Sequence, residues 1–164
     1  MGKLWALLLL LASSQAHAGD FFYKYGVGIF RSADYGFGET KFASLGLQGN
    51  VSGPMIWQLE GGGFFDNAGP GSGRGSSAFG NFSMGLEARP GYFFIQSLWG
   101  VGGITHPDAM LGGPFEFNQD LIIGVKDFWG VGFALDYKHM SSAGIYNPNV
   151  GRDGLLLRAS VRLW

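Results

Sequence analysis

The sequence contains about eight stretches, each roughly ten residues long, in which apolar side chains alternate with polar side chains or glycine. Successive side chains of a β-strand point to opposite faces, so this alternation predicts strands with one apolar face. A tilted strand of about ten residues crosses a bilayer. The fifth stretch is apolar on both faces, so its orientation stays open. The predicted strands cover residues 21–31, 40–49, 55–65, 78–89, 92–104, 115–125, 129–139 and 155–164.

The composition agrees with a large lipid-facing surface and excludes several other classes of protein. Glycine accounts for 30 of the 164 residues, and charged residues make up only 14%, against roughly 25% in soluble domains. The high apolar content excludes a disordered chain. The net charge of −1 provides no basic surface for nucleic acid. Because the chain has no cysteine, disulfides and cysteine metal sites are excluded.

The first eighteen residues have the order of a secretory signal peptide. Lys3 is followed by an apolar run at 5–12 and by the small-x-small cleavage pattern Ala16-His17-Ala18. We therefore predict a signal peptide at 1–18 and a single β-barrel domain at 19–164. No later segment is apolar over the ~18 residues that would indicate a transmembrane helix.

The predicted connections between strands alternate in length. The connections after the first, third, fifth and seventh strands are long, at 32–39, 66–77, 105–114 and 140–154. Those after the second, fourth and sixth are short, at 50–54, 90–91 and 126–128. Long external loops and short periplasmic turns are typical of bacterial outer-membrane barrels. We expect an all-β fold, an eight-stranded antiparallel transmembrane β-barrel in the outer membrane of a Gram-negative bacterium.

The alternation also predicts which side chains face lipid and which face the interior. The apolar face should be outward, and its aromatic residues near strand ends would form interfacial girdles: Tyr23, Tyr25, Trp57, Trp129 and Tyr137. The interior should be filled by glycine, polar groups and paired charges, because a small barrel packs its interior with side chains. The predicted inward charges are Glu60, Glu87, Asp120, Asp136, Lys24, Arg89, Lys138, Arg158 and Arg162.

The last predicted hairpin carries residues that suggest chemistry. His139 ends the seventh strand on the apolar face, and Ser141 keeps that face if the strand continues. Asp153 shares the outward parity of the eighth strand, so the three side chains can meet at the base of one loop. Serine, histidine and an acid are the parts of a nucleophilic triad. The alternative is that the histidine lies in the interfacial belt and the serine is an ordinary loop residue.

This hairpin resembles the lipid A 3-O-deacylase (PagL) family of outer-membrane acyl hydrolases. That family has His-x-Ser followed by Asn-Ala-Gly, a Pro-Asn-x-Gly turn and an acid. The matching residues here are His139-Met140-Ser141, Ala143-Gly144, Pro148-Asn149-Val150-Gly151 and Asp153. There are two departures: Asp153 stands where the family usually has Glu, and Ser142 stands where the family has Asn.

The resemblance implies an esterase that hydrolyses the 3-O-linked acyl chain of lipid A at the outer-leaflet side of the membrane. Ser141 would be the nucleophile, His139 the base and Asp153 the acid that orients it. Gly144, Ser142 and Asn149 would support the oxyanion hole. The implied partners are lipopolysaccharide and outer-membrane lipids, with no cofactor, metal or nucleic acid, and a homodimer is compatible with this reading.

Two other functions remain open from the residues. A non-enzymatic barrel, such as an adhesin or a structural anchor, predicts that His139, Ser141 and Asp153 are not in contact. A narrow pore is disfavoured, because about eight strands leave an interior that side chains fill.

Overall fold

The computed structural model describes residues 19–32, 36–66, 76–106, 112–126, 129–146 and 151–163. These residues form eight β-strands, and none of them forms a helix long and apolar enough to cross a membrane. The predicted signal peptide at 1–18 lies outside the described residues. The strands are β1 (Asp20–Ser32), β2 (Gly36–Ser52), β3 (Met55–Asp66), β4 (Ser77–Ala88), β5 (Phe93–Ile104), β6 (Phe115–Lys126), β7 (Val131–Ser141) and β8 (Arg152–Arg162).

Each strand pairs antiparallel with the next, and β8 pairs with β1, so the sheet closes into a barrel. This confirms the predicted fold class. The connections that follow the odd-numbered strands meet at one end of the barrel, here called the loop end. Those that follow the even-numbered strands meet at the other, here called the turn end.

The predicted long connection at 32–39 is wrong. β2 begins at Gly36, which pairs with Ser32 of β1, and only residues 33–35 lie between the two strands. The backbone at 36–39 continues the ladder with β1 instead of forming a loop. β7 and β8 also extend further toward the loop end than predicted, to Ser141 and from Arg152 respectively. The three candidate catalytic residues therefore lie within strands.

The apolar face points outward, as predicted from the alternation. Phe133 and Leu135 of β7 and Leu157 of β8 are each more than half exposed on the outside of the barrel. The structure also orients the fifth strand. Ile95, Trp99 and Val101 of β5 face outward, whereas Phe94, Gln96 and Leu98 are buried inside.

A layer of charged side chains crosses the interior, here called the charge layer. Its members are Lys24, Glu60, Asp120, Asp136, Lys138 and Arg158, all at most 3% exposed. Lys138 Nζ lies 3.0 Å from Glu60 Oε2 and 2.8 Å from Asp120 Oδ1. Lys24 Nζ contacts Glu60 and Asp136, at 3.2 and 2.5 Å. Three cations and three anions are thus interleaved, which compensates the several kcal/mol that each isolated buried ion would cost.

Three of the predicted inward charges lie at the turn end and are less buried than the charge layer. Glu87 faces inward at the rim and accepts hydrogen bonds from Gln96 and Arg89. Arg89 follows the last residue of β4 and is exposed, and Arg162 is also exposed. The two arginines therefore lie at the open rim of the barrel, and Arg162 keeps the inward face of β8, since it pairs with the buried Asp20.

Two apolar clusters fill the interior on either side of the charge layer. The cluster toward the loop end contains Phe42, Phe64, Phe79, Ile104, Met140 and Leu156. The cluster toward the turn end contains Ile56, Phe94, Leu98, Ile122 and Ala134. An interior of only glycine, polar groups and paired charges was therefore an incomplete prediction. Bulky side chains are needed to reach the packing density of a protein core where the charges do not.

Candidate active site

His139 and Asp153 face each other across β7 and β8 on the outside of the barrel, near the loop end. They are direct partners in the register of the two strands. His139 Nδ1 lies 2.8 Å from Asp153 Oδ1. A carboxylate only accepts hydrogen bonds, so the contact assigns the imidazole proton to Nδ1. Nε2 is then the nitrogen that is free to accept a proton, which is the tautomer a general base requires.

Ser141 lies two residues beyond His139 on the same face and is the last residue of β7. It pairs with Phe117 of β6 and is half-buried. In the described residues no hydrogen bond joins Ser141 to His139. The nucleophile candidate is therefore adjacent to the base without being bonded to it. In structures without substrate such contacts are often long and shorten only when substrate binds.

Gly151 brings the start of β8 close to both of these residues. Its φ is +76°, and a Cβ built there would lie 3.0 Å from His139 Cε1 and 3.5 Å from Ser141 Cβ. Only glycine combines this left-handed backbone with so close an approach to an imidazole. This explains why the last position of the Pro-Asn-x-Gly pattern is a glycine: any larger residue there would press on the His139 ring.

We predict that Gly151→Ala lowers kcat about tenfold or more while the barrel still folds, because the added methyl group displaces the His139 ring and strains the backbone. The measurement is the rate of ester hydrolysis by the folded protein. Gly91→Ala is the matched control, since Gly91 has a similar φ of +68° but nothing within 4 Å of its built Cβ. Equal rates for both variants would show that Gly151 does not position the site.

A tight turn follows Ser141. The Ile145 N–H donates to the Ser142 carbonyl at 3.0 Å, and Ala143 and Gly144 between them have φ values of +50° and +82°. This is the pattern of a type I′ turn. Among the described residues Ala143 is the only non-glycine with positive φ, a conformation that costs of order 1–3 kcal/mol. The turn uses the Ile145 N–H, so it leaves the Ala143 and Gly144 N–H groups for another acceptor.

The three predicted oxyanion residues differ in their placement. Gly144 is exposed in this turn, three residues past Ser141, the last residue of β7. The Ser142 side chain is fully buried, on the opposite side of the chain from Ser141. Its contact with the turn is through its backbone carbonyl. Asn149 lies outside the described residues, so its role stays a prediction.

A shallow groove of about 640 Å³ runs down the lipid-facing wall on the turn-end side of the site. Its floor is Ala159 of β8, which pairs with Phe133 of β7 and Tyr23 of β1. Leu135 and Leu157 form the part of its wall nearer to His139 and Asp153. The lining is almost entirely apolar, as the binding surface of a hydrocarbon chain must be.

The fold and the site together define a closed eight-stranded barrel whose apolar outer wall carries a histidine–carboxylate pair beside a serine, the residue types of a serine hydrolase. A family model described as lipid A 3-O-deacylase (PagL) matches residues 24–162. The chain belongs to this family, and with it to the deacylases of the bacterial outer membrane.

Two solved structures share the fold. A structure titled "Crystal structure of the outer membrane enzyme PagL" aligns with a TM-score of 0.59 and 17% identity, covering 85% of this chain and 99% of that one. A structure titled "De novo design of transmembrane beta-barrels" aligns with a TM-score of 0.62 and 11% identity, covering 89% and 95%. No curated protein sequence aligns significantly with the chain.

Proposed function

We propose that this protein hydrolyses the 3-O-linked acyl chain of lipid A by a serine mechanism, with its site at the outer-leaflet side of the membrane. The observation that carries the proposal is the 2.8 Å contact between His139 and Asp153 on the lipid-facing wall, beside Ser141. A substrate that cannot leave the membrane can reach a site only on this wall. Membership in the deacylase family supports the same assignment.

The residues suggest the following sequence of steps. Ser141 Oγ attacks the ester carbonyl while His139 Nε2 takes its proton, and Asp153 stabilises the imidazolium. The tetrahedral oxyanion accepts hydrogen bonds from backbone N–H groups of the turn, including that of Gly144. The bond to the sugar oxygen then breaks, and His139 returns the proton to that oxygen. Water, activated by the same base, hydrolyses the acyl-enzyme, so a 3-hydroxy fatty acid leaves and Ser141 regains its proton.

The far end of the groove lies at the depth that an outer-leaflet acyl chain reaches. Ala159 lies six residues from Asp153 along β8, which is about 20 Å at ~3.3 Å per residue. Barrel strands are tilted by roughly 35–45°, so the depth along the membrane normal is about 15 Å. This is half of the ~30 Å hydrocarbon core. An acyl chain whose ester lies at Ser141 would therefore end near Ala159.

We predict that Ala159→Phe changes which acyl chains are cleaved. A phenyl ring on the floor of the groove would block its deep end, so kcat/KM should fall about tenfold for the longest 3-O-chains, the effect of losing one or two buried methylene contacts. Substrates with short chains should be affected less. The measurement is the competition between lipid A species that differ in 3-O-chain length.

Ala88→Phe is the matched control for this prediction, because Ala88 is also an exposed alanine on the outward face, in β4 on another side of the barrel. It should leave the chain-length preference unchanged. If Ala159→Phe left the preference unchanged as well, the acyl chain would have to lie elsewhere.

The decisive test of the proposed function is the mass spectrum of lipid A from cells that express the protein. We expect the loss of one 3-hydroxyacyl chain with the wild-type chain and no loss with Ser141→Ala. Unmodified lipid A in both strains, with the barrel folded in the membrane, would favour a non-enzymatic adhesin or structural anchor. Crosslinking in native membranes tests the separate expectation of a homodimer.

A further inference from the structure

Tyr137 makes a contact with the site that the triad alone does not explain. Its hydroxyl donates a hydrogen bond to Asp153 Oδ1 at 2.7 Å. Tyr137 pairs with Leu155 in the register, whereas Asp153 pairs with His139. The tyrosine side chain therefore reaches diagonally across the strand pair, a distance that long aromatic side chains can span.

The tyrosine and the histidine bind the same oxygen. Asp153 Oδ1 lies 2.8 Å from His139 Nδ1 and accepts the Tyr137 O–H at 2.7 Å. The Asp153 side chain is half exposed, and within the described residues these are its two hydrogen-bond partners. An exposed carboxylate with one partner is free to rotate, and holding it costs side-chain entropy. The second donor holds Oδ1 against the imidazole.

We propose that Tyr137 is a positioning residue that acts through Asp153, a role that rests on the proposed function of the triad. Asp153 already lies 2.8 Å from His139, but its side chain is half exposed and needs a second contact to stay in that position. The tyrosine hydroxyl supplies this contact and holds the carboxylate against the imidazole.

The test is Tyr137→Phe, which removes the hydroxyl and keeps the ring on the lipid face. We expect kcat to fall about tenfold with KM nearly unchanged, since only a hydrogen bond to a charged group is lost and the aromatic ring stays in place.

The coupling to Asp153 gives a sharper criterion. In an Asp153→Asn background, Tyr137→Phe should change kcat less than twofold, because the acceptor through which the tyrosine acts is already altered. Tyr92→Phe is the control, since Tyr92 is exposed in the β4–β5 connection at the turn end. Equal effects of Tyr137→Phe in both backgrounds would contradict the proposed role, as would wild-type kinetics in the single variant.

A spectroscopic measurement separates this proposal from the proposed function. The His139 Nδ1 proton, assigned in detergent with the help of His106→Gln, should exchange with solvent several-fold faster in Tyr137→Phe, because the Asp153 acceptor is less fixed. This result does not need lipid A. Unchanged exchange would overturn the role of Tyr137 even in an active enzyme. Faster exchange in a protein that does not deacylate lipid A would refute the proposed function alone.

Discussion

Replacing Ser141 with alanine is expected to abolish deacylation, with kcat falling by about 10⁶-fold, the loss seen when the nucleophile of a serine hydrolase is removed. The fold should survive, because Ser141 is the last residue of β7 and is half-buried on the outer wall. It contributes neither to the charge layer nor to the interior clusters. The measurement is the release of 3-hydroxy fatty acid from purified lipopolysaccharide.

Ser97→Ala is the matched control for the Ser141 variant. Ser97 is also a half-buried serine on the outward face, in β5, where it pairs with Leu86 and Leu121. It should keep full activity, and both variants should show the heat-modifiable gel mobility of a folded barrel. A Ser141→Ala protein that deacylates at nearly the wild-type rate would remove Ser141 from the mechanism.

The second large effect is expected from Asp153→Asn, with a loss of about 10⁴-fold in kcat, as in the corresponding serine protease variant. The asparagine amide can donate to Nδ1, and this favours the tautomer with its proton on Nε2, where the base must be free. The loss should be smaller than for Ser141→Ala because the acid only supports the base. Asp153→Glu places the usual family residue there and should retain substantial activity.

The assay for these two variants is the same fatty acid release, with folding checked by gel mobility. If Asp153 were only a residue at a turn, asparagine would serve equally well and activity would not change. Asp153 instead lies inside β8, opposite His139. An asparagine variant as fast as wild type would show that Asp153 has no role in the mechanism. The catalytic residues would then be at most His139 and Ser141.

Local alternation was enough to predict the barrel and the outward face of His139, because the two-residue period of a strand is a property of the backbone itself. Alternation could not orient the fifth strand, because both of its faces are apolar. Phe94 and Leu98 of β5 face inward and pack in the turn-end cluster, and only the closed register determines this. It also failed at 36–39, where glycines continue a strand instead of ending it.

The site shows the same limit. The parity of His139, Ser141 and Asp153 could be read from the sequence, but their distances depend on register and on where the strands end. Tyr137 was expected only as part of an interfacial girdle. Its position two residues before His139 on the same face was the available signal, but the diagonal reach to Asp153 requires the pairing of β7 with β8. The left-handed backbone of Ala143 likewise has no counterpart in the residue pattern.

The charge layer and the two clusters around it have a consequence for the cell rather than for the reaction. They occupy the lumen, where a wider barrel would hold water. Under the proposed function, substrate and products are therefore expected to reach and leave the site along the outside of the barrel rather than through its interior. Because the described residues fill this interior, we expect that more copies of the barrel would change the lipid of the envelope without weakening its permeability barrier.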